Sequence, residues 1–286
     1  MTKIAIVTDS TASFSEHHID DVPVYAVPLD VIWAGETYKD GVDMQHDAFY
    51  TRLKTAKEMP TTSQPSPNAF LEVYKPLLAD GYQILSMHIS EGISGTINSA
   101  RQAKRILGED APIEILDSFV TAMVLKMQIL EAAQVINQGG SFEDAIAAVK
   151  SARERCGVFF TVETLEFLER GGRLTRMEAF AGNLLQIRPI LTFADGKITS
   201  IQKARTFKGA LKALKEHFMK GIEGKQVRNV CATYADNQAF VEEFMAELLQ
   251  EAGIERPAQM FIDPLTPVVG THTGPGCIGI AYLLEE

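Results

Sequence analysis

Two segments concentrate hydrogen-bond donors on constrained backbone: Met59-Pro60-Thr61-Thr62-Ser63-Gln64-Pro65-Ser66-Pro67 and Gly270-Thr271-His272-Thr273-Gly274-Pro275-Gly276. Proline fixes φ and glycine permits close backbone approach, so such loops can aim hydroxyls and N–H groups at a carboxylate or a phosphate. Each can equally be a rigid surface turn. A third segment, Ser90-Glu91-Gly92-Ile93-Ser94-Gly95-Thr96, lacks the spacing of a GxSxG nucleophile elbow, which leaves Ser94 as a hydrogen-bond donor. A serine hydrolase or acyltransferase would instead pair Ser94 with His272 as general base, oriented by Asp9 or Asp117.

Other chemistries lack their residues. There is neither a GxxxxGK[ST] loop nor a GxGxxG, so nothing local supports a nucleotide site. The adjacent His17 and His18 cannot share a helical face, HExxH is missing, and Cys156, Cys231 and Cys277 are widely separated, so no metal site is expected. An odd, dispersed set of three cysteines also argues against a disulfide framework and for a reducing, cytoplasmic setting. The net charge of −10 is spread along the chain and disfavours a nucleic-acid partner. No stretch approaches 18 uninterrupted apolar residues, so no membrane span is expected.

These donors need elements to position them. Apolar runs at 4–7, 84–89 and 113–116 each stop at hydroxyl or carboxylate residues, as buried strands emptying into polar loops do. Helical stretches at 97–107, 120–137 and 142–155 alternate with them, which predicts an α/β layer with a mostly parallel sheet. Ligands bind beyond the carboxyl ends of such strands, although Ser, Thr and Asp there also serve as helix caps. Beyond residue 155 the pattern changes to a strand at 157–161 and a short helix ended by Gly171-Gly172. A hairpin follows, 190–193 with 198–201 about Asp195-Gly196, then helices at 207–218 and 238–250 and strands at 227–234, 260–262 and 278–284. The expected architecture is two α/β domains, 1–155 with a mostly parallel sheet and 156–286 with a mixed sheet, with the ligand between them.

Taken together, Thr8-Asp9-Ser10-Thr11, Pro60-Thr61-Thr62-Ser63-Gln64-Pro65-Ser66, Ser94-Gly95-Thr96, Asp117-Ser118, Leu168-Glu169-Arg170-Gly171-Gly172-Arg173 and His272-Thr273-Gly274-Pro275-Gly276 resemble the DegV family over nearly the whole chain. The resemblance implies a bacterial fatty-acid-binding protein with no turnover of its own, whose two α/β domains enclose one long-chain fatty acid. It carries Thr62, Ser94 and His272 over as ligands of the carboxyl group, with Thr61 and Gly95 around them. It further implies a separate kinase subunit that supplies ATP and makes an acyl-phosphate, so the chain itself needs no cofactor. Arg170 and Arg173 would face that partner, with Arg188, Lys203 and Arg205 as weaker candidates.

The sequence departs from the family pattern at two places. Ser90-Glu91-Gly92-Ile93 precedes Ser94 where a second hydroxyl and a leucine are more usual. Phe119-Val120-Thr121-Ala122-Met123 follows Asp117-Ser118 in place of a small, glycine-containing stretch. Phe119, Met123 and Leu125 are expected to pack in the core or else to reshape the acyl cavity. A third class of reading, a binding module for another small carboxylate or phosphate, would keep the anion loops without a long apolar cavity.

Overall fold

The computed structural model describes residues 3–14, 17–174, 187–255 and 257–286. Strand β1 (Lys3–Asp9) is buried along all but its first residue, and the Asp9 carboxylate ends it by accepting the Thr11 N–H in a tight turn. The short β2 (His18–Ile19) forms a hairpin with β3 (Val22–Val27), and β3 runs parallel to β1. Next, β4 (Asp30–Trp33) and β5 (Glu36–Lys39) turn at Ala34-Gly35, both with positive φ. Helix α1 (His46–Leu53) leads to β6 (Thr61–Ser63), which pairs antiparallel with β4.

Helix α2 (Pro67–Ala79) starts with proline at its first position and Ser66 capping Ala69 N. Strand β7 (Tyr82–His88), α3 (Thr96–Leu107) and β8 (Ile113–Asp117) extend the parallel sheet. Its order is β2-β3-β1-β7-β8, and β5-β4-β6 form a separate three-stranded antiparallel sheet. Helices α4 (Ala122–Asn137) and α5 (Phe142–Arg155) follow, the latter opened by a Ser141/Asp144 capping box.

The second large sheet has the order β11-β10-β9-β14-β12-β13. Its strands are β9 (Cys156–Thr161), β10 (Arg188–Ala194), β11 (Lys197–Ala204), β12 (Val227–Tyr234), β13 (Gln259–Pro264) and β14 (Ile278–Leu284). Every neighbouring pair is antiparallel except β12 with β13. Between these strands lie α6 (Glu166–Arg170), α7 (Phe207–Ile222), α8 (Gln238–Ala252) and α9 (Pro267–Thr273).

Packing stacks the layers. Helices α2 and α3 cover one face of the parallel sheet through Phe70, Tyr74 and Ala100. One continuous apolar cluster then runs from Ile6 and Met87 on its other face, through α4 and α5, to Val158, Cys231 and Ala281 of the mixed sheet. Helices α7 and α8 cover the far face of that sheet. Polar ties fix the register of α4: Lys126 pairs with Asp263 at 2.6 Å, and the Arg228 guanidinium donates to Glu131 at 2.9 Å.

The fold is therefore α/β, with a mostly parallel first sheet and a mixed second sheet as expected. Two local expectations are corrected. The 59–67 segment is a strand at Thr61–Ser63 rather than a loop, because its backbone completes the ladder of β4. Residues 270–273 are the end of α9, which starts at Pro267 and stops before Gly274. Of the three bulky residues after Asp117, Leu125 is core, Met123 lines a cavity, and Phe119 is 38% exposed under the Arg153 guanidinium.

Candidate functional site

Where the three sheets meet lies a cavity with about 760 Å3 of atom-free space, open mouth included. Its walls are apolar: Ile89, Met123, Val158 and Phe160 from the large sheets and α4, Phe193 and Ile198 from the β10–β11 hairpin, Leu265 and Val268 around α9. Thr62, Ser94, Arg173 and His272 also line it, together with Thr121, Thr233 and Thr273.

Pairing of Thr62 with Val31 of β4 sets the Thr62 hydroxyl, which lies 2.8 Å from His272 Nε2. His272 sits at the last turn of α9. Its imidazole lies on the Gly171 backbone so closely that a Cβ there would fall 2.1 Å from Nδ1. Burial, and secondarily the charge of Arg173, push the His272 pKa down to about 4, so the ring is neutral at physiological pH. Its Nδ1 is buried without a hydrogen-bond partner among the described residues.

Ser94 ends the loop after β7, and its hydroxyl lies 2.8 Å from Thr96 Oγ1. Gly95 does not line the cavity. A Cβ there would lie 1.9 Å from Gln64 Oε1, and Gln64 Nε2 donates to Ser99 Oγ at 3.0 Å, so Gly95 lets the β6 segment lock onto α3. Thr61 is exposed, one residue out of phase with Thr62 on the strand.

The two arginines about Gly171-Gly172 part company. Arg170 is exposed and pairs with Glu166 at 2.6 Å. Arg173, read from sequence as a docking residue, is half-buried on the cavity wall, where its Nε donates to Ile93 O at 3.1 Å. Burial lowers its pKa. Farther away, Arg188 pairs with Glu163 at 3.0 Å and stacks over Phe207, while Lys203 and Arg205 are exposed near the end of β11.

The hydrolase geometry is not assembled: His272 Nε2 faces Thr62 rather than Ser94. Neither carboxylate orients it, since Asp9 binds Thr11, His88 and Ile89 N, and Asp117 binds Phe119 N and Glu91 N. Sequence reasoning overlooked Asp40, 1% exposed, which accepts the Val268 N–H at 3.0 Å and so anchors the start of α9. Burial raises its pKa to about 6. It also overlooked Thr121, a cavity-wall residue whose buried hydroxyl has no partner among the described residues. No group of three or more metal-ligating side chains, and no helix long and apolar enough to cross a membrane, occurs among the described residues.

A family model described as "Uncharacterised protein, DegV family" matches residues 3–285. A DegV domain-containing protein of Halalkalibacterium halodurans is 34% identical over 287 residues, covering 100% of both chains. Another, of Listeria monocytogenes, is 33% identical over 99% of each. Among solved structures, a DegV family protein from Thermus thermophilus described for its fatty-acid binding superposes with a TM-score of 0.88 at 31% identity, over 99% of this chain and 100% of that one. DegV from Bacillus subtilis, described as a fatty-acid-binding protein, gives 0.88 at 30% identity over 100% of both. With a family match across nearly its whole length and relatives above 30% identity, this chain belongs to the DegV family.

Proposed function

We propose that the protein binds one long-chain fatty acid, with its tail in the apolar cavity and its carboxylate held by Thr62, Ser94 and His272. The observation that carries this reading is the placement of Thr62, Ser94, His272 and Arg173 on one largely apolar cavity. Fatty-acid binding by the structural relatives supports it. Burying the tail contributes about 0.8 kcal/mol per CH₂, so the tail supplies most of the affinity and the head-group bonds set its register. A neutral His272 that donates through Nε2 to Thr62 Oγ1 leaves the Thr62 proton for the carboxylate. Arg173 adds a positive charge beside it.

The chain then acts as a carrier in the cytoplasm, with no turnover of its own, presenting the carboxylate to a separate ATP-dependent kinase for acyl-phosphate formation. Docking falls to Arg170 on this reading, a role supported by its exposure and by its position one residue before the glycine that touches His272. Native mass spectrometry of the purified protein, with extraction and identification of its ligand, tests the reading. A stoichiometric, noncovalent long-chain fatty acid is expected. Thr62→Ala and Ser94→Ala should each weaken binding by about 1–3 kcal/mol, the cost of leaving a buried charged acceptor short of a donor. A protein that takes up no fatty acid when offered one overturns it.

A further inference from the structure

The β10–β11 hairpin is bonded far more strongly to itself than to the sheet it extends. Its two strands pair at seven positions about the Asp195-Gly196 turn, whose residues both have positive φ, as a two-residue hairpin turn requires. Toward β9, by contrast, β10 pairs only at Ile190 and Leu191. Opposite those same two residues the hairpin's own ladder shifts register, with Ile201 as the extra residue on β11, and such a bulge bends the strand that carries it. Beyond it the ladder is replaced by one side-chain bond, Thr192 Oγ1 to Val158 O at 2.7 Å.

The free half of the hairpin rests on the other large sheet's loops. The Ser90 hydroxyl donates to Gly196 O at 2.8 Å. The approach is so close that a Cβ on Gly92 would lie 2.5 Å from the same carbonyl oxygen, and a Cβ on Gly196 would lie 3.2 Å from the Phe119 ring. On its inner face, Phe193 and Ile198 are direct cross-strand partners and both line the cavity.

We infer that the β10–β11 hairpin is a flap, hinged at Ile190-Leu191 and latched by Ser90 on Gly196, whose Phe193–Ile198 pair is the removable wall through which an acyl tail enters and leaves. Among the described residues, swinging it out keeps the hairpin's own ladder and breaks the Thr192 bond, the Ser90 latch and apolar contacts. The polar end of the cavity is the poorer route, since a tail threaded there must pass Thr62, Ser94 and Arg173 before reaching apolar surface.

The inference rests on the fatty-acid reading and has its own test. The Ser90 Cβ lies 3.6 Å from where a Cβ on Gly196 would sit, a separation that a disulfide spans. The full chain carrying Ser90→Cys and Gly196→Cys is mixed with a fluorescent long-chain fatty acid, and uptake and release are timed. With the disulfide formed both should slow by at least about tenfold, as for a lid that gates exchange, and recover on reduction. Oxidised protein that exchanges at the wild-type rate overturns the flap. Because Gly196 has φ +73, where a side chain is strained, Ser90→Ala supplies a second variant. Losing the latch bond should speed release about fivefold, and an unchanged rate overturns the inference as well. Wild-type protein separates the two ideas: no binding at all removes the ligand, whereas binding indifferent to the crosslink removes the flap alone.

Discussion

Replacing Gly171 by alanine should damage the head-group site without straining the backbone. Its φ of −73° suits any residue, so the effect comes from space alone. The added methyl would sit 2.1 Å from His272 Nδ1 and 2.9 Å from Cε1, where ordinary contact begins at 3.4 Å. The imidazole must therefore retreat by more than an ångström, and a 2.8 Å bond from Nε2 to Thr62 does not survive that displacement. A buried group left without its partner costs about 1–3 kcal/mol, or about 5- to 150-fold in fatty-acid affinity, measured by displacement of a fluorescent fatty acid. Gly172→Ala is the control. Nothing lies within 4 Å of that position, and its φ of +68 makes alanine strained but clear of His272, so it should lower thermal stability and leave affinity unchanged. Wild-type affinity in Gly171→Ala, or equal losses in both variants, would refute the placement of His272 at the head group.

Two further predictions concern charge. His272, with its pKa pushed down to about 4, binds fewer protons folded than unfolded, so its contribution to stability is lost as pH falls from about 6.5 toward 4, about 3 kcal/mol in all. Asp40, raised to about 6, has the opposite sign and costs a similar amount as pH rises from about 4 to 6, so the two slopes nearly cancel. Asp40→Asn keeps an acceptor for Val268 N–H, so chemical denaturation should show steeper acid destabilisation than wild type between pH 6.5 and 4; parallel profiles would exclude the compensation. Arg173→Ala should weaken fatty-acid binding by about 1–3 kcal/mol and raise the His272 pKa seen by NMR, whereas Arg170→Ala should retain the lipid and slow only partner-dependent phosphorylation. Equal lipid affinity in both variants would put Arg173 outside the head-group site.

The parallel strands were legible because burial on both faces makes them continuous apolar runs, as in Ile4 to Val7 and Ile84 to Ile89. The small sheet was not. Its strand β4 buries Val31 and Trp33, but apolar Ile32 stands exposed between them and erases the alternation. Helix α9 carries Gly270 mid-helix, which reads as a breaker. The reason for it is tertiary, since a Cβ there would meet the Tyr50 hydroxyl at 2.4 Å. At 119–123, Phe119 and Ala122 take φ values of +59 and +53 without being glycine. The backbone thus holds left-handed turns at a cost of about 1–2 kcal/mol each, something that residue types alone could not reveal.

The inward turn of Arg173 is the step that residue spacing could least supply, and it completes the electrostatics of the site. Arg170 and Arg173 flank two glycines, and the chain reverses through Gly172 at positive φ, so one guanidinium faces solvent and the other the cavity. Among the described residues Arg173 donates to two carbonyls, Ile93 O and Gly171 O, and has no carboxylate partner. A guanidinium carries five N–H donors, and burying it without a counter-ion is unfavourable, which its lowered pKa expresses. A ligand carboxylate entering beside His272 offsets that cost, while a neutral head group would leave it standing. If the proposed reading holds, selection for an ionised acid over an alcohol or ester of the same chain length resides in Arg173, and selection for a long tail in the apolar walls, two terms that act at opposite ends of the same ligand.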